Sequence, residues 1–344
     1  MNIHIVYTGG TVGAAIRDGI TDVRPGAAIR DGITDVRPDA ATPPIPDGVA
    51  ASESRPMNIL SENMTAARWR ELIFHLRTLP LGGKDGLIVT HGTDTLAYTA
   101  CLLSLFFSAP ALPVLLVSAN RPPADPASNG PANFAAAIAA INEKIPPGVY
   151  VVYRNSDGKT YIHSGAELLQ CPCGSEDFFS LFYGGAAGDP LAEIRDSRLL
   201  YFKTPPARPA MRFGNRAILL PGDGFAENFN GDFAEVLSIL PYVGLNYDRY
   251  RIDGADAVLH GLYHSSTAAA FTEKKDAGAS ILHFAKRCAD AGVPLYIAPF
   301  PTSPPAGRIV YETTARILDA GAIPISGATF EMALTALTLG LHTL

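Results

Sequence analysis

The stretch Gly86-Leu87-Ile88-Val89-Thr90-His91-Gly92-Thr93-Asp94-Thr95 joins a strand to a turn. Its first half is a short apolar run and its second half is a polar turn. A helical pattern then continues to about Ser108, and Val114-Leu115-Leu116-Val117-Ser118 is the next strand. Strands that are apolar on both faces, with helices between them, belong to a parallel sheet covered on both sides. Further upstream, Ile3–Tyr7 is a strand that ends in Thr8-Gly9-Gly10-Thr11, and Thr65–Leu79 has helical spacing. Downstream, Asn133–Lys144 is a helix and Val149–Arg154 a strand. Asp157-Gly158 is a hairpin turn, and the segment after it reads as irregular.

The Pro-rich stretch Thr204–Ala210 lacks periodicity and reads as a linker. A second series follows, with strands at Ala217–Leu220, Ala257–Gly261 and Leu295–Pro299. Its helices are Ala277–Asp290, Val310–Ala320 and Thr329–Thr338. The expectation is an α/β protein of two α/β domains. The larger, N-terminal one (1–205) has a mostly parallel sheet with flanking helices. A linker (206–216) leads to a smaller C-terminal α/β domain (217–344). Gly13–Pro25 recurs letter for letter as Gly26–Pro38. Two copies of thirteen residues are too few for a solenoid, so the repeat reads as a duplicated surface loop.

Only 17% of the 344 residues are charged, while 47% are hydrophobic, which excludes a disordered chain. With 27 basic against 33 acidic residues there is no basic footprint, so neither nucleic acid nor an anionic membrane is expected as partner. Four cysteines are too few for a disulfide scaffold. Cys171-Pro172-Cys173 lacks the partner pair that a metal site would need. The N-terminus reads as a strand rather than a leader, which makes the cytoplasm the expected compartment. Ala97–Asn120 carries no charge, but Pro110 and Pro113 interrupt it, so it reads as core helix and strand rather than a membrane span.

Thr11 and Thr93-Asp94 follow two parallel strands, on the rim where open α/β sheets bind ligands. Gly9 and Gly10 would turn the backbone tightly and leave amide N–H groups facing a ligand. The spacing Gly9-Gly10-x-x-Gly13 misses the dinucleotide fingerprint. From residues alone, plain strand-to-helix turns remain an equal alternative. His91 shapes its turn, His260 and His264 are ordinary loop polar groups, and Phe178, Phe179, Phe182 and Tyr183 are core or interface.

Together the two turns resemble the signatures of the bacterial-type L-asparaginase/glutaminase family. Tyr7-Thr8-Gly9-Gly10-Thr11-Val12-Gly13 is similar to the first, and Thr90-His91-Gly92-Thr93-Asp94-Thr95 to the second. Ser61-Glu62-Asn63-Met64, Ser118–Asn133 and Ala320–Thr338 are similar to further family segments. The resemblance implies a threonine nucleophile, Thr11, with Thr93 and Asp94 in its proton relay. It places Gly10, Ser61, Glu62, Gly92 and Ala119 around the substrate, with no cofactor and no metal. L-asparagine or a related amide would yield aspartate and ammonia. A low charge content and the family's assemblies imply a homodimer or homotetramer acting on a small-molecule amide.

Three departures qualify that expectation. Gln170 stands where the family has a catalytic lysine, and glutamine cannot accept a proton as an amine does. Lys159 and Lys203 are candidate substitutes. No tyrosine lies between Tyr7 and Tyr98, where the family's lid usually carries one. Leu262–Thr267 replaces the family's Gly-Asn loop in the C-terminal domain. The alternatives are a catalytically weak amino-acid-binding protein and an amidohydrolase on a peptide or tRNA-linked amide.

Overall fold

The structure is a computed structural model. It describes residues 1–10, 15–17, 20–22, 44–107, 110–122, 125–181, 188–204, 211–214, 216–217, 229–271, 273–301 and 311–341. Thr11, the second copy of the repeat, Phe182, Tyr183 and most of the expected linker lie outside the described residues. The chain folds as two compact units.

In the first unit an eight-stranded sheet carries the site. Its strands are β1 (Asn2–Tyr7), β4 (Ala50–Ser54), β5 (Gly86–Thr90), β6 (Pro113–Val117), β7 (Gly148–Arg154), β8 (Thr160–Ser164), β9 (Ala192–Arg195) and β10 (Arg198–Tyr201). Their order is β10-β9-β8-β7-β6-β5-β1-β4. The five from β7 to β4 are parallel, and β8 to β10 extend the sheet antiparallel. A separate short ribbon pairs β2 (Ala15–Arg17) with β3 (Ile20–Asp22).

Strand side chains alternate between faces, and this splits the core in two. Ile3, Ile5, Ile88, Leu115, Val117 and Val152 pack with α3 (Gly130–Asn142) on one face. Val6, Leu87, Val89, Val114, Leu116 and Val151 pack with α1 (Ala66–Thr78) and α2 (Leu96–Phe106) on the other. Ten of the eleven residues of α2 are buried, which explains the uncharged stretch. Among the described residues no helix is long and apolar enough to cross a membrane. Thr65 caps α1, its side chain accepting from the Arg68 N–H at 3.4 Å.

Several elements differ from the sequence reading. The segment after Asp157-Gly158 is not irregular, because β8 returns antiparallel along β7 and β9 and β10 add a second hairpin. Helix α3 starts at Gly130 rather than Asn133, with a proline in its first turn, where the missing N–H costs nothing. Strand β4 shows no alternating pattern because it is a largely exposed edge strand. Side chains hold it instead. Ser52 and Ser54 each bond a His4 ring nitrogen, at 2.7 and 2.8 Å, and Lys84 Nζ donates to Ser52 at 2.8 Å.

The second unit holds a six-stranded sheet in the order β12-β11-β16-β15-β14-β13. Its strands are β11 (Arg212–Phe213), β12 (Arg216–Ala217), β13 (Val236–Ile239), β14 (Ala257–His260), β15 (Leu295–Phe300) and β16 (Ile323–Ser326). The four from β13 to β16 are parallel. Helices α4 (Ile281–Asp290), α5 (Glu312–Asp319) and α6 (Phe330–Thr338) accompany them. His260 is buried, bonded to Tyr247 Oη at 2.9 Å and to the Gly261 carbonyl, a satisfied core histidine. Phe178 is likewise core, edge-on to Tyr153 at 4.7 Å, whereas Phe179 is exposed.

Candidate active site

Topology locates the site. The chain leaves β1, returns as its neighbour β4, then crosses to β5 on the other side of β1. At such a reversal the loops diverge beyond the carboxyl ends of the strands and leave a crevice. The turn after β1, the segment after β4 and the turn after β5 meet there.

They meet backbone to backbone. Gly10 has φ +75°, and a Cβ on it would stand 2.5 Å from the Gly92 nitrogen and 2.7 Å from its Cα. A Cβ on Gly92 would stand 2.6 Å from the Ser61 Cβ. Only glycine permits this approach. Beneath the turns, Thr8 Oγ1 donates to the Thr90 carbonyl at 2.6 Å and joins the ends of β1 and β5. One expectation needs correcting. The Gly10 N–H does not face a ligand, because it donates to the Ile59 carbonyl at 2.9 Å, and Ile59 N–H donates back to Thr8 at 3.0 Å.

Ser61 links the second and third segments. Its buried Oγ accepts from the Asp94 N–H at 3.1 Å and lies 3.2 Å from Asp94 Oδ2 as donor. Thr95 Oγ1 donates to the Ser61 carbonyl at 2.8 Å. Thr95 was legible within the second signature, but its role as a clamp was not. Thr93 is half-buried, and Asp94 and Glu62 are exposed. Ala119 is fully buried, in line with the close approach of Gly130, where a Cβ would stand 2.8 Å from the Ala119 methyl. We expect Ser61→Ala to destabilise the first unit by about 1 kcal/mol, since it removes the partner of the Asp94 N–H and frees its carboxylate. Urea midpoints measure this, and an unchanged midpoint contradicts the contact.

Gln170 reaches the same turn. Its Nε2 donates to the Asp94 carbonyl at 2.7 Å. Neither proposed lysine substitute does so. Lys203 Nζ is paired with Glu167 at 2.6 Å, and Lys159 lies exposed just past the Asp157-Gly158 turn. Among the described residues no lysine amine bonds Thr93 or Asp94.

Beyond Ala119 lies a polar cleft of about 310 Å³, lined by Asn120, Ser128, Asn129, Arg154, Ser156 and Glu176 among others. Sequence reasoning did not single it out, since its walls come from three separated loops. Asn129 and Asn133 brace it, donating to the Arg154 and Ser118 carbonyls at 2.9 and 2.8 Å.

His91 is fully buried and its Nδ1–H donates to the Gly92 carbonyl at 2.8 Å. Burial lowers its pKa to about 4, and burial together with the Lys203 charge lowers that of His163 to about 3. Both are therefore neutral at pH 7, and His91 shapes the turn. Unfolded, each takes up a proton near pH 6.5, and folded only near 4 or 3. Between those values the unfolded chain binds more protons, so stability falls as pH drops below about 6.5. The loss reaches roughly 3 kcal/mol or more per histidine once the lower value is passed. Urea midpoints at pH 7 and pH 4.5 measure it, and equal midpoints contradict it.

The comparisons with known proteins identify the family. The family described as "Asparaginase, N-terminal" matches residues 2–206. The chain belongs to the asparaginase family. Solved structures that resemble it include the thermostable L-asparaginase from Thermococcus kodakarensis, at 24% identity and a TM-score of 0.69, covering 99% of this chain and 93% of that one. L-asparaginase I from Vibrio cholerae gives 22%, 0.67, 99% and 92%. At such identities these likenesses show the shared asparaginase fold alone.

Curated relatives bear a different name. A glutamyl-tRNA(Gln) amidotransferase subunit from Methanococcus maripaludis is 33% identical over 56% of this chain and 44% of its own length. Its namesake from Aeropyrum pernix is 28% identical over 98% of this chain and 73% of its own. The first-matched relatives are thus aligned over less than half their length. They correct one expectation. A small-molecule substrate with a homo-oligomer, and no nucleic acid, is not the picture these family members give, since each is named as one subunit of an enzyme defined by a tRNA.

Proposed function

We propose that this chain hydrolyses a free carboxamide, with L-asparagine as the first substrate to test, and works beside a different protein chain. The observation that supports this most is the convergence of Gly10, Ser61, Gly92, Thr93 and Asp94 in one crevice of the asparaginase fold. In this reading the Thr11 hydroxyl attacks the amide carbon. The C–N bond breaks as the nitrogen takes up a proton and leaves as ammonia. Water then cleaves the threonyl ester and frees the carboxylate. Asp94, held by Ser61, meets the substrate ammonium, and Thr93 passes the proton. An amidotransferase moves amide nitrogen to an acceptor, so a chain that frees ammonia supplies the donor half of such a reaction. That chemistry, with the names of the relatives, supports a protein partner.

A second reading rests on Gln170, which contacts the Asp94 carbonyl without offering a base. In it the chain binds aspartate or asparagine with little turnover. Ammonia release from asparagine, measured beside calorimetric binding of aspartate, separates the two. Turnover that is lost in Thr93→Val supports the first. Binding without ammonia supports the second. Neither binding nor ammonia overturns both.

A further inference from the structure

Directly after Gln170 come Cys171, Pro172 and Cys173, which the proposed reaction does not use. Among the described residues no three metal-ligating side chains gather, so a metal cluster does not explain the pair. Both thiols are free, Cys171 half-buried and Cys173 exposed. A tight turn follows. The Ser175 N–H donates to the Pro172 carbonyl at 3.0 Å, and Gly174 takes φ +82°. The turn folds the chain back, so the Cys171 thiol donates to the Ser175 carbonyl at 3.2 Å while packing against the core face that includes Val6 and Met57. The two thiols thus differ in kind. One meets solvent, and the other is sheltered and kept protonated, because burial raises its pKa, with the nearby Asp177 and Asp94 carboxylates acting in the same direction.

We propose that Cys171 and Cys173 form a reversible thiol–disulfide site for small-molecule disulfides, and that closing it draws Gln170 away from Asp94. The Cys173 thiolate attacks one sulfur of the small disulfide, whose S–S bond breaks and releases a thiolate. The Cys171 thiol then gives up its proton and attacks the Cys173 sulfur, expelling the second small thiol. The cysteine pair is oxidised by two electrons and the small disulfide is reduced to two thiols. A disulfide between residues two apart fixes a narrow geometry. The Cys171 sulfur must leave the Ser175 carbonyl to reach it, and Gln170 is the adjoining residue. Its 2.7 Å bond to Asp94 is the contact that this movement breaks. That this bond bears on a reacting turn rests on the proposed amidohydrolase reading.

The test uses the full-length chain and glutathione disulfide, read by intact mass and peptide mapping. The wild type is expected to lose two hydrogens, retain no glutathione and carry the cross-link within residues 171–173. Cys171→Ser should trap one glutathione on Cys173, and Cys173→Ser should stay unmodified. Hydrogen exchange in the Thr93–Leu96 segment should rise at least severalfold on oxidation and return with a thiol reductant. A wild type that stays reduced, or that keeps glutathione without closing, overturns the site. A cross-link that leaves exchange at Thr93–Leu96 unchanged overturns its coupling to Asp94. None of these readouts needs turnover. Failure of the amidohydrolase reading appears separately, as reduced protein that releases no ammonia from asparagine.

Discussion

Gln170→Lys is expected to raise ammonia release from asparagine by about 10²-fold or more, the usual span for supplying a general base. The glutamine already reaches the turn, with Nε2 2.7 Å from the Asp94 carbonyl. A lysine chain is one atom longer, so its amine reaches the same turn. In its free-base form the amine accepts the proton that an amide nitrogen cannot. The gain should grow with pH, since an ordinary lysine has a pKa near 10.4 and only its neutral form acts as a base. Gln170→Met, similar in reach but with no basic group, should show no gain. A lysine variant no faster than the methionine variant, at any pH between 7 and 9, contradicts the assignment of position 170 to the relay.

Gly10→Ala is expected to destabilise the first unit by about 2–5 kcal/mol and to weaken aspartate binding more than tenfold. Two effects add. A left-handed backbone costs an L-residue roughly 1–2 kcal/mol, and Gly10 has φ +75°. Overpacking costs about 1–3 kcal/mol more. Here the obstacle is the Gly92 nitrogen and Cα, which cannot swing aside as a side chain could. Relief comes only by parting the two turns, and that separates the first signature from Ser61 and Asp94. Gly83→Ala isolates the strain, because Gly83 has a similar φ of +73° with open space around it. Its urea midpoint should move by the smaller amount alone, with binding retained. Equal midpoints for the two variants contradict the close packing.

The parallel part of the fold was legible because burial on both faces leaves a mark in the sequence. Val89, Leu115 and Val151 are fully buried, and the strands that hold them read as unbroken apolar runs. Strand β4 left no such mark. It is an exposed edge, fastened by His4, Ser52, Ser54 and Lys84 from distant positions, which no local pattern encodes. In the antiparallel extension, Arg198–Tyr201 is mostly exposed, and β8 mixes His163 and Ser164 with its buried Ile162, so neither reads as an apolar run. In the candidate site, the family resemblance pointed to Ser61, Thr93, Asp94 and position 170, and the structure brings Ser61, Asp94 and Gln170 into contact. The resemblance could not reveal that Gly10 gives its N–H to Ile59, that Ser61 both accepts from and donates to Asp94, or that Gln170 bonds the Asp94 carbonyl. Those are pairings across tens of residues, and only the folded sheet brings them together.

The crevice beyond β1, β4 and β5 is proposed to cleave a carboxamide. Ammonia release from L-asparagine by the purified, reduced chain measures this. One ammonia and one aspartate per turnover are expected, with both lost in Thr93→Val. No ammonia above background, or release that persists unchanged in Thr93→Val, contradicts it.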